Sequence, residues 1–259
     1  MNKKGGMMGI SEAANRNHER WFPHHKSTLK VTDPDFIELF DNFAFDEVFT
    51  HGNLDGRSRL MVILAALIAS QALGEYKVML RAALNVGVTP IEVKEIVYQA
   101  VPYCGIAVVF DFLHATNEIL ESAGVMLPLE GQSTTTPSTR LEKGLALQKA
   151  IFGEMIDRMY EESPADQVHI QRFLSGNCFG DYCTRTGLDL RTRELLTFSM
   201  LLSLRGCESQ LMGHIRGNIQ VGNDRSTLLS VLTQLLPYLG YPRTLNALRC
   251  LNEVLPESE

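Results

Sequence analysis

The amino-acid sequence predicts an all-α protein built from two tandem helical domains. Apolar residues recur with the helical period in segments such as TRELLTFSMLLSL, residues 192–204, and no alternating strand pattern persists along the chain. In addition, FDEVFTHGNLDGRSRL at residues 45–60 parallels FGDYCTRTGLDLRTREL at residues 179–195. A repeat of this length indicates a duplicated domain and not a short solenoid unit.

The spacing of the repeat divides the chain. The first match has an offset of 134 residues, whereas VPYCG at residues 101–105 matches LPYLG at residues 236–240 with an offset of 135. Between the halves lies PLEGQSTTTPSTR, whose Thr, Ser, Pro and Gly content is typical of a linker. We therefore predict an irregular N-terminal tail at 1–30, a first repeat at 31–127, a linker at 128–140 and a second repeat at 141–259.

Helical segments are predicted in both halves. LMVILAALIASQAL, residues 60–73, is a core helix, because its apolar run is too short to cross a bilayer. In the second half, one helix ends near Gly206, a second covers 207–220, and a third covers 225–236 and stops at Pro237. Each half is thus expected to be a small helical bundle.

Composition limits the possible partners. The chain has 259 residues, a net charge of -6 and no dense stripe of Lys and Arg, which argues against nucleic acid as a partner. No segment predicts a membrane span or a secretory leader, and the five cysteines show no zinc-ligand spacing. We therefore expect a cytoplasmic protein without a membrane contact, a metal or a cofactor.

The stretch RGCESQLMGHIRGNIQVG predicts a functional site. At about 100° per residue, Cys207, Gln210 and His214 share one face of a helix. The Arg-Gly turn just before this helix makes it antiparallel to the preceding one. Glu194 lies roughly 16 Å before the turn and His214 roughly 12 Å after it, so the two reach a similar level. A carboxylate in that position would fix the tautomer of the imidazole.

Three segments, RTGLDLRTREL, HIRGNIQVG and LLPYLGYPRTLNAL, resemble the carboxymuconolactone decarboxylase family, whose relatives include the alkyl hydroperoxidase D-like proteins. LEKGLALQKAIFGEMIDRM, residues 141–159, is similar to the N-terminal segment of the decarboxylases, so the resemblance covers nearly all of 141–254. The first half matches from about 35 to 122. The resemblance implies two helical domains of this family. Because single-domain relatives look like ring-forming hexamers, it also implies a homotrimer of the tandem chain.

The resemblance places the family histidine at His214, eight residues before the glycine that ends the helix. The corresponding residue in the first half is Met79, and Ala72 corresponds to Cys207. The polar constellation therefore exists once, which implies an active second half and a first half that serves as a scaffold. Peroxidase-type relatives carry Cys-x-x-Cys-x-x-x-His, but Gln210 occupies the second cysteine position. Decarboxylase-type relatives tend to carry an acidic residue there.

The activity implied is cofactor-independent decarboxylation of a small carboxylated lactone or related cyclic acid. In this hypothesis His214, Glu194 and Cys207 are catalytic, and His214 is the acid that protonates the carbon left after loss of CO2. Gln210 and Arg193 bind the small-molecule carboxylate substrate. Other candidate anion-binding side chains are Arg191, Arg205 and Arg216.

Two other functions are compatible with the sequence. A thiol peroxidase would use Cys207 alone, because Gln210 excludes a disulfide within the motif. A non-catalytic binding member of the fold is the other alternative. Each residue also has a structural interpretation: a half-buried histidine at His214, a small buried apolar residue at Cys207, a first-turn carboxylate at Glu194 and a surface salt bridge at Arg193.

Overall fold

The structure, a computed structural model, describes residues 9–25 and 27–257. Every regular element in these ranges is helical, and none is a strand. The all-α fold that the sequence predicts is therefore confirmed. None of the described helices is both long enough and apolar enough to cross a membrane.

The described part of the chain begins with short helices that pack on the first repeat. They are α1 (Glu12–Trp21), α2 (Leu29–Thr32), α3 (Pro34–Asn42), a π-helical turn (Phe43–Glu47) and α4 (Val48–Thr50).

The helix α1 corrects the prediction of an irregular tail at 1–30. Ser11 caps its first turn by accepting a hydrogen bond from the amide of Ala14 at 3.0 Å. At the other end, Trp21 is 1% exposed and packs against Phe45 and Phe49. Burial of this large ring fixes the helix on the bundle. Residues 1–8 and 26, which the same prediction covers, lie outside the described residues.

The first repeat contains the helices α5 (Gly56–Ala69), α6 (Leu73–Asn85), α7 (Pro90–Cys104) and α8 (Ile106–Ser122). Capping side chains set where they begin. Asp55 accepts hydrogen bonds from the amides of Arg57 and Ser58 at the start of α5. Thr89 and Glu92 form a capping box at the start of α7.

The segment between the repeats is fixed to the second repeat. Residues 128–139 form no helix, but the amide of Thr186 donates to the carbonyl of Gln132 at 3.0 Å. The hydroxyl of Thr134 donates to the carbonyl of Thr184, also at 3.0 Å. The elements that follow are α9 (Arg140–Phe152), α10 (Met155–Glu161), α11 (Val168–Phe173) and a π-helix (Leu174–Cys183).

The second repeat contains α12 (Leu190–Ser203), α13 (Glu208–Gln220), α14 (Arg225–Leu239) and α15 (Tyr241–Val254). These helices follow the order of α5 to α8. Asp189 and Asp224 cap α12 and α14 by accepting hydrogen bonds from backbone amides, as Asp55 does for α5. The local signals that start the helices are therefore duplicated with the fold.

The helix α14 differs from its prediction, because it continues through Pro237 to Leu239. A proline in the last turn removes only one backbone donor, so the helix tolerates it there. The end is set by Gly240, whose φ is 77° and whose amide donates to the carbonyl of Leu236 at 3.0 Å. The helix α7 contains Pro102 in the same way.

The two repeats share one hydrophobic core. Every residue from 59 to 69 in α5 is buried, and so is every residue from 193 to 203 in α12. A helix that is buried on all sides needs cover from several neighbours, and α5 packs directly against α12. Each repeat therefore covers the central helix of the other.

Two arginines cross between the repeats in a reciprocal pattern. Arg59 Nη1 on α5 donates to Gln234 Oε1 at 2.5 Å, and Arg193 Nη1 on α12 donates to Gln99 Oε1 at 2.9 Å. The two arginines occupy equivalent positions in the duplicated sequence, and so do the two glutamines. These two contacts between the repeats are therefore related by an internal two-fold symmetry.

The contact of Arg193 also includes a buried ion pair. Glu95 is 1% exposed and accepts hydrogen bonds from Arg193 Nη2 at 2.9 Å and from Arg185 Nε at 3.0 Å. Arg193 is itself 2% exposed. The carboxylate compensates guanidinium charge that would be costly to bury alone.

We expect Glu95→Gln to destabilise the protein by about 3–5 kcal/mol, because it leaves the guanidinium of Arg193 buried without a carboxylate. The matched control is Glu118→Gln, which breaks an exposed ion pair with Lys77 and should cost less than about 1 kcal/mol. Urea denaturation followed by circular dichroism measures both free energies of unfolding. Equal losses in the two variants would contradict a special contribution of the buried pair.

Candidate active site

A cavity of about 450 Å³ lies where the two repeats meet. Residues of α9, α10, the second π-helix, α12 and α13 form it, together with the end of α7 from the first repeat. Most of its wall is apolar and consists of Pro102, Phe152, Met155, Ile156, Met159, Leu174, Phe179, Leu201 and Leu204. The polar side chains in the wall are those of Tyr103, Gln148, Cys178, Cys207, Gln210 and His214.

His214 and Glu194 meet at this cavity. The Nδ1 atom of His214 on α13 lies 2.8 Å from Oε2 of Glu194 on α12. The predicted juxtaposition of the two side chains on antiparallel helices is therefore confirmed. Glu194 is 3% exposed, so its carboxylate faces the imidazole and not bulk water. This contact favours a ring with its proton on Nδ1.

Two residues that the sequence does not predict hold this pair in place. A Cβ atom at Gly217 would lie only 2.8 Å from Oε2 of Glu194, so the glycine leaves room for the carboxylate. Asn218 Nδ2 donates to the carbonyl of His214 at 2.8 Å and to that of Glu194 at 3.1 Å. The amide thus joins α12 to α13 at the level of the pair. In the sequence, this packing is indicated only by the glycine at position 217 of α13.

The other ring nitrogen of His214, Nε2, is available to a molecule in the cavity. It makes no hydrogen bond to any residue that the structure describes. The edges and faces of two aromatic rings contact the imidazole, with centroid distances of 5.2 Å to Phe152 and 6.0 Å to Tyr103. These contacts restrict rotation of the imidazole, so Nε2 keeps one direction.

Tyr103 is a candidate functional residue that is absent from the sequence-based prediction, and it comes from the first repeat. Gln99 Nε2 donates to the Thr197 hydroxyl at 3.0 Å, and that hydroxyl donates to the Tyr103 oxygen at 3.2 Å. The phenolic proton is then left for a molecule in the cavity. Burial, followed by the nearby thiols and Glu194, raises the pKa of Tyr103 well above its ordinary value, so the group stays a neutral donor. The sequence feature that could indicate Tyr103 is the Pro-Tyr pair, which occurs in both repeats.

Cys207 and Gln210 also line the cavity. This agrees with the prediction that they share one helix face with His214. The sequence predicts a helix that starts at residue 207, but α13 begins at Glu208, so Cys207 is the N-cap residue. Its thiol is 3.7 Å from the carbonyl oxygen of Arg205. Gln210 is exposed at the edge of the cavity, so its amide is accessible from solvent.

Arg193 is absent from the cavity wall, which corrects its predicted place among the substrate-binding residues. Arg193 lies on the same helix as Glu194, but side chains of consecutive helical residues point about 100° apart around the helix axis. The guanidinium therefore points into the first repeat, where Glu95 and Gln99 bind it. The other candidate arginines are also absent from the wall: Arg191, Arg205 and Arg216.

Two further thiols near the site are held protonated. Hydrogen bonding with Cys178, followed by burial, raises the pKa of Cys183 well above its ordinary value. Burial, with a smaller contribution from Cys207, raises the pKa of Cys104 to about 11. Because the thiolate is the nucleophilic form of cysteine, these two side chains are poor nucleophiles at neutral pH.

The two repeats each match a known family. The sequence profile of the Carboxymuconolactone decarboxylase family fits residues 34–118 and again residues 169–253. The chain belongs to this family. The resemblance indicated by the sequence motifs is therefore confirmed for both halves.

Two decarboxylases are similar to parts of the chain. Over 119 residues it is 31% identical to the 4-carboxymuconolactone decarboxylase of Acinetobacter baylyi, a match that covers 46% of this chain and 88% of that relative. Over 68 residues it is 35% identical to the nitrosuccinic acid decarboxylase npaB of Metarhizium robertsii, covering 26% of this chain and 48% of that relative. Both relatives are named as decarboxylases, and their names specify two different substrates.

We expect Gly217→Ala to destabilise the protein by about 1–3 kcal/mol, because the new methyl group collides with Glu194 and with Ile151 Cγ2 at 2.9 Å. Gly213→Ala, in the same helix, is the matched control. No atom outside the helix lies within 4 Å of its added Cβ, so the higher helix propensity of alanine should stabilise by roughly 0.5–1 kcal/mol. Thermal unfolding measures both, and a stabilising Gly217→Ala would contradict the close packing around Glu194.

Proposed function

We propose that the protein is a cofactor-independent decarboxylase of a small carboxylated lactone or related cyclic acid. The observation that carries this proposal is the position of His214, which is held by Glu194 and presents Nε2 to a mainly apolar cavity. Membership of a decarboxylase family and the named activity of the Acinetobacter baylyi relative support the same reaction class.

The apolar wall favours loss of CO2. A carboxylate is strongly hydrated in water, and an environment formed by side chains such as Phe152, Ile156 and Leu204 replaces that hydration poorly. Decarboxylation converts the carboxylate into neutral CO2 and spreads the charge over the remaining molecule. A cavity with few polar groups therefore disfavours the starting carboxylate more than the transition state.

His214 completes the reaction by supplying a proton. The bond between the ring carbon and the carboxylate breaks, and its electron pair stays on that carbon and is delocalised into a neighbouring carbonyl group. The reacting imidazole is protonated on both nitrogens: it transfers the Nε2 proton to this carbon to form the new C–H bond, and Nε2 then regains a proton from solvent. Glu194 remains ionised, accepts the Nδ1 proton in a hydrogen bond and balances the charge of the doubly protonated ring.

Tyr103 and Gln210 orient the substrate in this proposal. The phenolic hydroxyl is a neutral donor beside His214, and it can bind a carbonyl or retained carboxylate oxygen as negative charge develops there. Gln210 offers both a donor and an acceptor at the exposed edge. Cys207 lines the same cavity and would contact the bound ring in this proposal.

The second candidate is a thiol peroxidase that uses Cys207. The location of Cys207 in the cavity wall favours it. Two features count against it: the neighbouring position of the motif is Gln210, and the pKa of the nearby Cys104 thiol is raised to about 11. A resolving thiol that stays protonated reacts slowly with an oxidised partner.

We expect His214→Asn to lower turnover by about 10²–10⁴ while leaving the melting temperature nearly unchanged, because asparagine removes the acid but keeps an N–H group for Glu194. The assay follows loss of CO2 from 4-carboxymuconolactone, nitrosuccinate and related lactone acids. The control is His114→Asn, the same chemical change at an exposed position on α8, which should keep full activity. If His214→Asn unfolds the protein or keeps its activity, the histidine has only a structural role.

For the peroxidase alternative, we expect little or no reduction of an alkyl hydroperoxide in the presence of a dithiol reductant. The wild-type protein and Cys207→Ser should give the same low rate of peroxide loss. Rapid turnover by the wild type that disappears in Cys207→Ser would place the thiol reaction ahead of decarboxylation.

A further inference from the structure

The first repeat contains a second cavity at the position that corresponds to the candidate active site. Its volume is about 100 Å³. In the wall, Glu75 and Met79 on α6 correspond to Gln210 and His214 on α13, with the offset of 135 residues. Phe45 corresponds to Phe179 with the offset of 134. The duplication has therefore preserved a cavity in the half that lacks the family histidine.

This cavity has polar groups of its own. His18 on α1 and Asp41 on α3 line it, and Asp41 is only 4% exposed. Neither side chain has an equivalent among the residues that the sequence predicts for the active site. Because burial of a charged group is costly, a carboxylate retained in such a wall calls for a compensating partner. Lys30 Nζ lies 3.9 Å from Asp41 Oδ2 and partly provides one.

Glu75 lacks such a partner. Its carboxylate makes no hydrogen bond or ion pair with any residue in the described ranges, and burial raises its pKa. Burial also lowers the pKa of His18, so that imidazole is neutral at pH 7. Counted at their formal charges, Asp41 and Glu75 contribute -2 and Lys30 contributes +1, which leaves -1 beside the two histidines of the wall, His18 and His25. The cavity is thus electrostatically suited to a cation.

A tyrosine from the second repeat packs against one wall residue of this cavity. Tyr238 corresponds to Tyr103 and packs against the cavity residue Phe40, with ring centroids 6.4 Å apart. Its buried hydroxyl has no hydrogen-bond partner among the described residues. Burial, followed by the negative charges of Glu75 and Asp41, raises the pKa of Tyr238 above its ordinary value. The Tyr238 hydroxyl is therefore a buried polar group without a partner among the described residues, whereas the Glu75 carboxylate is partly exposed and has no protein partner there.

Aromatic rings form much of the remaining wall. Phe45 lies 5.2 Å from His18, 6.3 Å from Phe22 and 6.4 Å from Phe40 between ring centroids. Aromatic faces attract organic cations through their quadrupoles, and cages of such rings bind alkylammonium groups. A metal ion is a poorer fit, because the described residues include no group of three or more His, Cys, Asp or Glu arranged to hold one.

We propose that the first-repeat cavity binds a small organic ammonium ion, with Glu75 as its counter-ion and Phe22, Phe40 and Phe45 as its aromatic wall. The ammonium group donates hydrogen bonds to the carboxylate, and its alkyl part contacts the rings. The volume of about 100 Å³ limits the ligand to a few carbon atoms. The second repeat binds a carboxylate substrate in the proposed function, but this site is independent of that assignment.

The only tryptophan of the chain gives a direct test. Trp21 is buried beside two residues of the cavity wall. The centroid of its ring lies 6.5 Å from that of Phe22 and 5.6 Å from that of Phe45. Its fluorescence is titrated in the full chain with propylammonium chloride, 1-propanol and sodium propionate at constant ionic strength. We expect a saturable change with propylammonium in the millimolar range and none with the neutral or anionic analogue. Equal responses to all three probes, or no saturable response, would overturn the proposal.

Glu75→Gln tests the counter-ion, and it installs the amide that the second repeat carries at Gln210. We expect about tenfold weaker binding of propylammonium, because a hydrogen bond to a charged group is lost. Glu142→Gln, at an exposed position on α9, should bind like the wild type. Thermal melts with and without propylammonium give a second readout of binding that needs no enzymatic activity. Unchanged affinity in Glu75→Gln would show that the carboxylate does not hold the cation.

Discussion

The packing of α5 against α12 is the contact on which the rest of the structure depends. Both helices are buried over eleven consecutive residues, so neither repeat can cover its own central helix alone. On α12 the two consecutive side chains Arg193 and Glu194 point in different directions. The first binds Glu95 and Gln99 in the other repeat, and the second binds His214. The joint between repeats and the polar pair of the cavity are therefore set by one helix.

Local patterns are enough to predict several core helices, the duplication and the approach of Glu194 to His214. The last of these follows from residue spacing on two antiparallel helices joined by a short turn. Contacts over long sequence separations could not be predicted in this way. Arg193 has an ordinary helical position in the sequence, and only the structure shows its partners almost 100 residues away on α7. The helix α1 was missed because its anchor, Trp21, is buried by residues from the next elements and not by its own periodicity.

The duplication keeps the backbone and changes the polar groups. His214 has a methionine, Met79, at its equivalent position, yet a cavity remains there because the surrounding helices and aromatic residues are also duplicated. Shape in this fold is thus set by the helical scaffold, whereas charge is set by a few side chains that differ between the halves. Our two proposals assign opposite charges to the ligands of these cavities for this reason: an anionic substrate beside His214 and a cation beside Glu75.

The first repeat is more than a scaffold for the second. Tyr103 stands at the end of α7 and reaches across the joint, where its ring contacts His214 and its oxygen accepts a hydrogen bond from Thr197. A single repeat would lack this wall, since no side chain of α12 or α13 replaces the tyrosine in the cavity. In the other direction, Tyr238 from the second repeat packs against Phe40, which is a wall residue of the first-repeat cavity. The candidate active-site cavity therefore needs both halves, whereas the first-repeat cavity is lined by described residues between 18 and 79 and contacts the second repeat through a residue of its wall.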